Sequence, residues 1–233
     1  MSKKIHTIQS SGKVEFDKEV NFFLELGCEL LEGSYEVVKE DNGNVYSQVV
    51  TIDTNKFDVE YYDNGQIKFF CSLNKDGKME GLLTSCYENG QKEEQVTIKD
   101  GKRDGLETRW YENGKKKTEG TIKDGKMVGL LTSWYENGQK KKEITLNDGE
   151  KRDGLCTSWF ENGQKMEEVT YKDGKKDGLE TTWHENGQKM YEGTYVYGIE
   201  VGKWTAYNED GTVKTVWEES KYTQGLTLKR KVK

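Results

Sequence analysis

Histidine and cysteine are scarce in this chain, and no apolar segment is long. Its 233 residues include two histidines, His6 and His184, and four cysteines, Cys28, Cys71, Cys86 and Cys156. No twenty-residue apolar run exists, which excludes a membrane-spanning helix. The start, Met1-Ser-Lys-Lys-Ile-His-Thr, lacks an apolar signal core and predicts no secretion by the usual route. The cysteines show neither metal nor redox spacing. Cys71 and Cys86 stand where other repeats carry apolar residues, as reduced, packed thiols would. Together these predict a cytoplasmic protein.

Catalytic signals are equally thin. There is no nucleophile elbow, and no glycine-rich loop leads into a helix to cradle phosphate. His184 occupies a column otherwise filled by Tyr and Phe, so it reads as a substituted packing residue. The expectation is a non-enzyme with no cofactor, no metal and no catalytic residue. A net charge of −6 opposes binding by phosphate neutralisation and suits a basic protein surface. The expected partner is therefore a protein with a basic surface, with no direct nucleic acid.

What the chain does have is a repeat. Glu-Asn-Gly stands at Glu88, Glu112, Glu136, Glu161 and Glu185, with steps of 24, 24, 25 and 24 residues. Weaker copies begin at Asp41, Asp63 and Glu209. A second mark falls half a period later, at Asp76-Gly77, Asp100-Gly101, Asp124-Gly125, Asp148-Gly149 and Asp173-Gly174. A third follows at Gly81, Gly105, Gly129, Gly154, Gly178 and Gly202. A fixed period in this range marks a stacked array. The extra residue lies between Asn147 and Asp153, and insertions are cheapest in loops.

Each period reads as strand, tight turn, strand, looser turn. Asn-Gly is the strongest short hairpin signal and predicts a type I′ turn. On a two-residue turn, Trp110 pairs with Lys117 and Tyr111 with Lys116; a one-residue change in loop length reverses that parity. The flanks are rich in Thr, Trp, Tyr, Ile and Val, which suit a pleated surface. The fold class is all-β: an elongated antiparallel meander, or solenoid, of about eight hairpin repeats. Sixteen strands at about 4.8 Å spacing would extend roughly 75 Å. With 32% hydrophobic and 33% charged residues, the composition is too polar for a thick two-layer core.

Columns run down the array. One holds Trp110, Trp134, Trp159 and Trp183, and its neighbour on the opposite face holds Tyr111 and Tyr135. In the returning strand, Glu119, Glu143 and Glu168 line a face with Thr121, Thr145 and Thr170. A row of carboxylates invites a paired-acid reading. A repeated row alternating with Lys and Thr is better read as a solvated face. The ends differ: Val20, Phe23, Leu24 and Leu31 fall at helical spacing, so Asp17–Leu31 predicts a short helical cap. The organisation expected is a cap segment at 1–33, a hairpin array at 34–220 and a basic strand or tail at 221–233.

The run Trp-Tyr-Glu-Asn-Gly-Gln-Lys-Lys, followed by Lys-Asp-Gly-Lys-x-x-Gly-Leu, resembles the bacterial variant of the MORN repeat, whose arrays are grouped as the YwqK-type antitoxin family. The resemblance covers roughly residues 57–211. It implies a β-hairpin array and, by the family label, neutralisation of a toxic partner. The expectation is a protein-binding scaffold that inhibits an effector enzyme, such as a toxin nuclease or a CRISPR-type nuclease, by covering its surface. The alternative is a structural or envelope-associated interaction module. Exposed aromatics are the usual anchors of interfaces. The candidate binding residues are therefore Trp110, Trp134, Trp159, Trp183, Tyr111, Tyr135, Glu119, Glu143 and Glu168.

Overall fold

The structure is a computed structural model. It describes residues 57–148 and 150–218 with their side chains, and the backbone of residue 219 and of strands at 3–10, 29–30, 36–40, 43–53 and 229–232. All of its described regular structure is β. The chain divides into two compact units, Met1–Gly90 with Ile98–Gly101, and Gln91–Thr97 with Lys102–Lys233.

In the first unit, β1 (Lys3–Ser10), β2 (Glu29–Leu30) and β3 (Glu36–Glu40) all pair antiparallel with β4 (Gly43–Asp53). The strands β5 (Phe57–Tyr61), β6 (Ile67–Ser72) and β7 (Gly81–Cys86) follow in meander order. Most of the predicted cap helix lies outside the described residues, but Glu29–Leu30 at its end pair as strand with Thr51 and Val50. The expected boundaries at 33/34 and 220/221 also lie outside them.

The second unit takes the larger part of β8 (Lys92–Lys99) and continues through β9 (Lys102–Trp110), β10 (Lys116–Lys123), β11 (Lys126–Trp134) and β12 (Lys140–Leu146). After them come β13 (Gly154–Trp159), β14 (Lys165–Lys172), β15 (Lys175–Trp183), β16 (Lys189–Val196), β17 (Ile199–Tyr207), β18 (Val213–Glu219) and β19 (Lys229–Val232). From β9 onward each strand hydrogen-bonds to the next, as an antiparallel meander requires.

The Asn-Gly turns differ from the type I′ hairpins the sequence suggests. At Glu112-Asn113-Gly114 the Gly114 amide donates to the Tyr111 carbonyl at 2.9 Å, and only the glycine is left-handed, at φ 78°. A turn with both central φ values negative is type I. The Tyr111 amide also donates to the Lys115 carbonyl at 2.9 Å, so five residues separate the strand ends. Trp110 therefore pairs with Lys116, not Lys117, and Lys117 becomes a bulge. Asp124-Gly125, whose sequence suggests a similar turn, does form a type I′ turn, with φ values of 50° and 80°, closed by the Lys123–Lys126 pair. The inserted residue near 150 converts that turn to the longer kind: Glu150, at φ 58°, takes the left-handed place and donates its amide to the Asn147 carbonyl.

Register and alternation then assign the faces. One face carries Ile122, Cys156, Val169, Trp204 and Ala206, all buried. This is the core face. Trp204 lies flat on Gly193, where an added Cβ would sit 2.0 Å from the indole. The other face is open and bears the Trp, Glu, Thr and Leu columns.

The Asn of each hairpin tip ties one repeat to the next. Its Oδ1 accepts from the amide two residues on: Lys115 onto Asn113 at 3.0 Å, Gln139 onto Asn137 at 2.8 Å, Gln164 onto Asn162 at 2.9 Å. Its Nδ2 donates to the Glu carbonyl of the following tip: Asn113 to Glu136 at 3.1 Å, Asn137 to Glu161 at 2.9 Å, Asn162 to Glu185 at 2.9 Å, Asn186 to Glu209 at 2.7 Å. The side-chain amide separates its acceptor oxygen from its donor nitrogen, so one Asn can close its own turn and reach the next tip at once. The last tip carries Asp210, which accepts from the Thr212 amide at 2.9 Å. Replacing Asn137 by Asp keeps the acceptor and sets a carboxylate against the Glu161 carbonyl. It should lower stability by about 1 kcal/mol, read as a fall in the urea midpoint, while Asp210→Asn should leave the midpoint unchanged. Equal effects at the two positions would show that the link between repeats contributes nothing.

Candidate functional site

The structure brings seven of the nine candidate residues together on the open face. Trp110, Trp134, Trp159 and Trp183 are half-buried there. Each lies under a lysine of the preceding repeat: Lys92 Nζ is 6.0 Å from the Trp110 ring centroid, Lys116 5.7 Å from Trp134, Lys140 5.7 Å from Trp159 and Lys165 5.6 Å from Trp183. Three of these lysines also pair with the glutamate row. Lys116 reaches Glu119 at 2.5 Å, Lys140 reaches Glu143 at 2.6 Å and Lys165 reaches Glu168 at 2.5 Å. The carboxylates thus carry compensated charge, and the row is a ladder of Trp, Lys and Glu rather than an acidic strip.

Tyr111 and Tyr135 do not share that face. They stand at the entrance to the long turns, where their hydroxyls donate at 2.8 Å to the carbonyls of Trp134 and Trp159. Lys117 and Lys141, the bulged residues, lie 5.4 Å and 5.3 Å from their ring centroids. His184 holds the corresponding place, its Nε2 3.4 Å from the Tyr207 carbonyl oxygen. These positions join repeat to repeat.

One set of residues escaped the sequence reading. Leu106, Leu130, Leu155 and Leu179 are 54–57% exposed on the open face. Each pairs with a threonine: Thr121, Thr145, Thr170 and Thr194. Their signal was a Leu directly after the third glycine mark, at steps of 24, 25 and 24 residues.

The core face carries charge as well. Arg103 binds Glu94 at 2.7 Å and Glu107 at 2.7 Å, and Arg109 binds Glu94 at 2.9 Å and Glu107 at 3.1 Å. Burial works against the Glu94 charge, but the two guanidinium groups outweigh it and hold its carboxyl below the usual range. Farther along, Lys176 bridges Glu167, at 3.2 Å, and Glu180. There burial and a hydrogen bond shared with Glu167 push the Glu180 carboxyl up. Among the described residues no group of three or more His, Cys, Asp or Glu could hold a metal ion.

A family model described as the MORN repeat variant matches residues 103–124, 127–148, 152–173 and 176–197. The chain thus carries MORN-type repeats, and the matched segments begin in β9 and end just past β16. None of the curated proteins matches it.

The lowered Glu94 carboxyl has a consequence in acid. Its ion pairs stabilise the fold above the unfolded glutamate value of about 4.3, and that contribution is lost as pH falls through the lower folded value. Wild type should therefore exceed Glu94→Gln in urea midpoint at pH 7, with the gap closing below about pH 4. A gap that stays constant down to pH 3 would show that the charge on Glu94 is not what stabilises.

Proposed function

We propose that this chain is a non-catalytic scaffold that binds another protein through the open face of its second unit, and inhibits that partner by covering it. The observation that carries this reading is the leucine row. Single exposed leucines are ordinary. Four in register on alternate strands, about 9.6 Å apart and set beside the tryptophan column, form an apolar stripe framed by polar side chains. Such patches mark interaction sites, and aromatic anchors contribute most of the energy at interfaces.

The net charge of −6 suits a partner with a basic surface, such as the channel of a nuclease. Attraction by the whole chain would speed association, while the stripe sets the dissociation rate. Because Glu119, Glu143 and Glu168 are each paired with lysine, charge reversal at these three should disturb the Trp–Lys–Glu ladder as well as association.

The test begins with capture of the partner from the native host, identified by mass spectrometry. Replacing Leu106, Leu130, Leu155 and Leu179 together by Ser should leave the thermal midpoint within a few degrees and abolish capture. Titrating wild-type protein against the captured enzyme should remove its activity at one equivalent. Capture that survives the leucine replacements would remove the stripe from the interface. Loss of activity at far below one equivalent would mean turnover, and the scaffold reading would fall.

A further inference from the structure

The repeats serve as templates for one another, and one place on the core face lacks what its counterpart has. Positions separated by three periods, 73 residues, correspond: Glu94 with Glu167, Arg103 with Lys176, Glu107 with Glu180, and Arg109 with Thr182. The first cluster is balanced, two carboxylates against two guanidinium groups. The second holds two carboxylates against Lys176 alone in direct contact, with Lys142 acting on Glu167 from a distance. Thr182 occupies the position of Arg109, which in the repeats between them holds Ser133 and Ser158.

Three further observations meet there. Glu167 is flanked across the sheet by Ser158 and Thr182, and the hydroxyls of both are buried without a hydrogen-bond partner. Along the turn edge, the lysines that cover Tyr111 and Tyr135 are replaced by Met166 and Met190, so Phe160 and His184 have no covering lysine at that position. A surface cleft of about 690 Å³ opens at this spot. Its walls include Phe160, Met166, Met190 and Thr182, with the carboxylate-bearing Glu167, Glu185 and Glu209, and no lysine or arginine lines it.

We infer that this cleft is a binding site for an alkylguanidinium group, which would dock against Glu167 as Arg109 docks against Glu94. The template favours guanidinium over ammonium. Arg109 spans two carboxylates, with Nη2 on Glu94 at 2.9 Å and Nε on Glu107 at 3.1 Å. A planar fork can do this where a point charge cannot. Thr182, which lines the cleft, offers a hydroxyl acceptor for a remaining N–H group. The methionines and Phe160 form an apolar wall for the alkyl stem, and an aromatic face attracts a cation. The cleft opens at the turn edge, where Trp183 also lines it but none of the four leucines does, so it goes beyond the leucine stripe and stands whether or not that stripe binds a protein.

The experiment uses the full chain labelled at the methionine methyl carbons and follows Met166 and Met190 by NMR. Butylguanidine should shift both resonances in a saturable way, and butylamine should bind at least tenfold more weakly. Thr182→Arg supplies the missing group from within, as the first cluster does. It should fold normally, move the same two resonances without ligand, and lose at least tenfold in affinity. Glu167→Gln should lose a similar factor. An arginine-containing peptide that binds more tightly than butylguanidine would identify a protein side chain as the source; equal binding would identify a free guanidine compound. No shift with any of these ligands, or undiminished affinity in Thr182→Arg, would overturn the site.

Discussion

The Asn amide at each hairpin tip is the contact on which the array depends. A single-layer sheet cannot hide its turns in a core, so every carbonyl at a tip must find a donor at the surface. Asn137 closes its own turn by accepting the Gln139 amide and supplies the donor for Glu161. The tyrosine column does the same one step inward, as Tyr135 donates to the Trp159 carbonyl. Each bond is worth little alone, yet each joins positions two strands apart and recurs at the period of the chain. That repetition explains why the tips, rather than the strands, carry the most uniform residues. Strand positions face two environments and can vary. The tip must satisfy its own turn and its successor in one geometry.

The same logic accounts for two departures from these columns. Asp210 stands at the last tip, where accepting the Thr212 amide is enough. Phe160 interrupts the tyrosine column and cannot donate to the carbonyl that follows it. Within a repeat array, nearest-neighbour terms dominate, so a local lapse weakens one joint without dissolving the rest. A place where the ladder lapses is therefore one where stability was not the governing demand, and the cleft at Phe160 and Met166 opens at such a place.

Much of this was legible in the sequence, for physical reasons. The all-β meander followed from turn residues recurring faster than any helix could accommodate. The separation of Glu119 from Ile122 onto opposite faces followed from the two-residue period of a strand. Turn type was not legible, because Asn-Gly fits both the two-residue type I′ hairpin and a type I turn with a left-handed glycine. The choice rests on the Nδ2 bond from Asn113 to Glu136, which is invisible until the next repeat is in place. That one-residue difference moved Trp110 from Lys117 to Lys116 and put Lys116 within reach of both Trp134 and Glu119. An acidic row on paper is thereby a neutral ladder in space. The leucine row was present in the sequence at full regularity. Its exposure was not, since leucine after glycine reads equally well as core.

An array of near-identical units carries its own internal control. Where five copies agree, the residue serves the joint between neighbours. Where one copy departs while the backbone continues unchanged, the departure was tolerated by the joint and calls for another cause. Arg109 is such a departure, since Ser133, Ser158 and Thr182 fill its position in β11, β13 and β15, and Thr182 stands beside the counterparts of the two carboxylates that Arg109 neutralises. Two neighbouring acids, one buried and one half-buried, that share a single cation in direct contact are costly unless something else supplies the charge. In the isolated chain the adjustment is a raised Glu180 carboxyl, which holds its proton more tightly than an ordinary glutamate. A cation arriving from outside would make that adjustment unnecessary. The imbalance is thus stored in the fold as an affinity for positive charge, at a place where the surface is open to receive it.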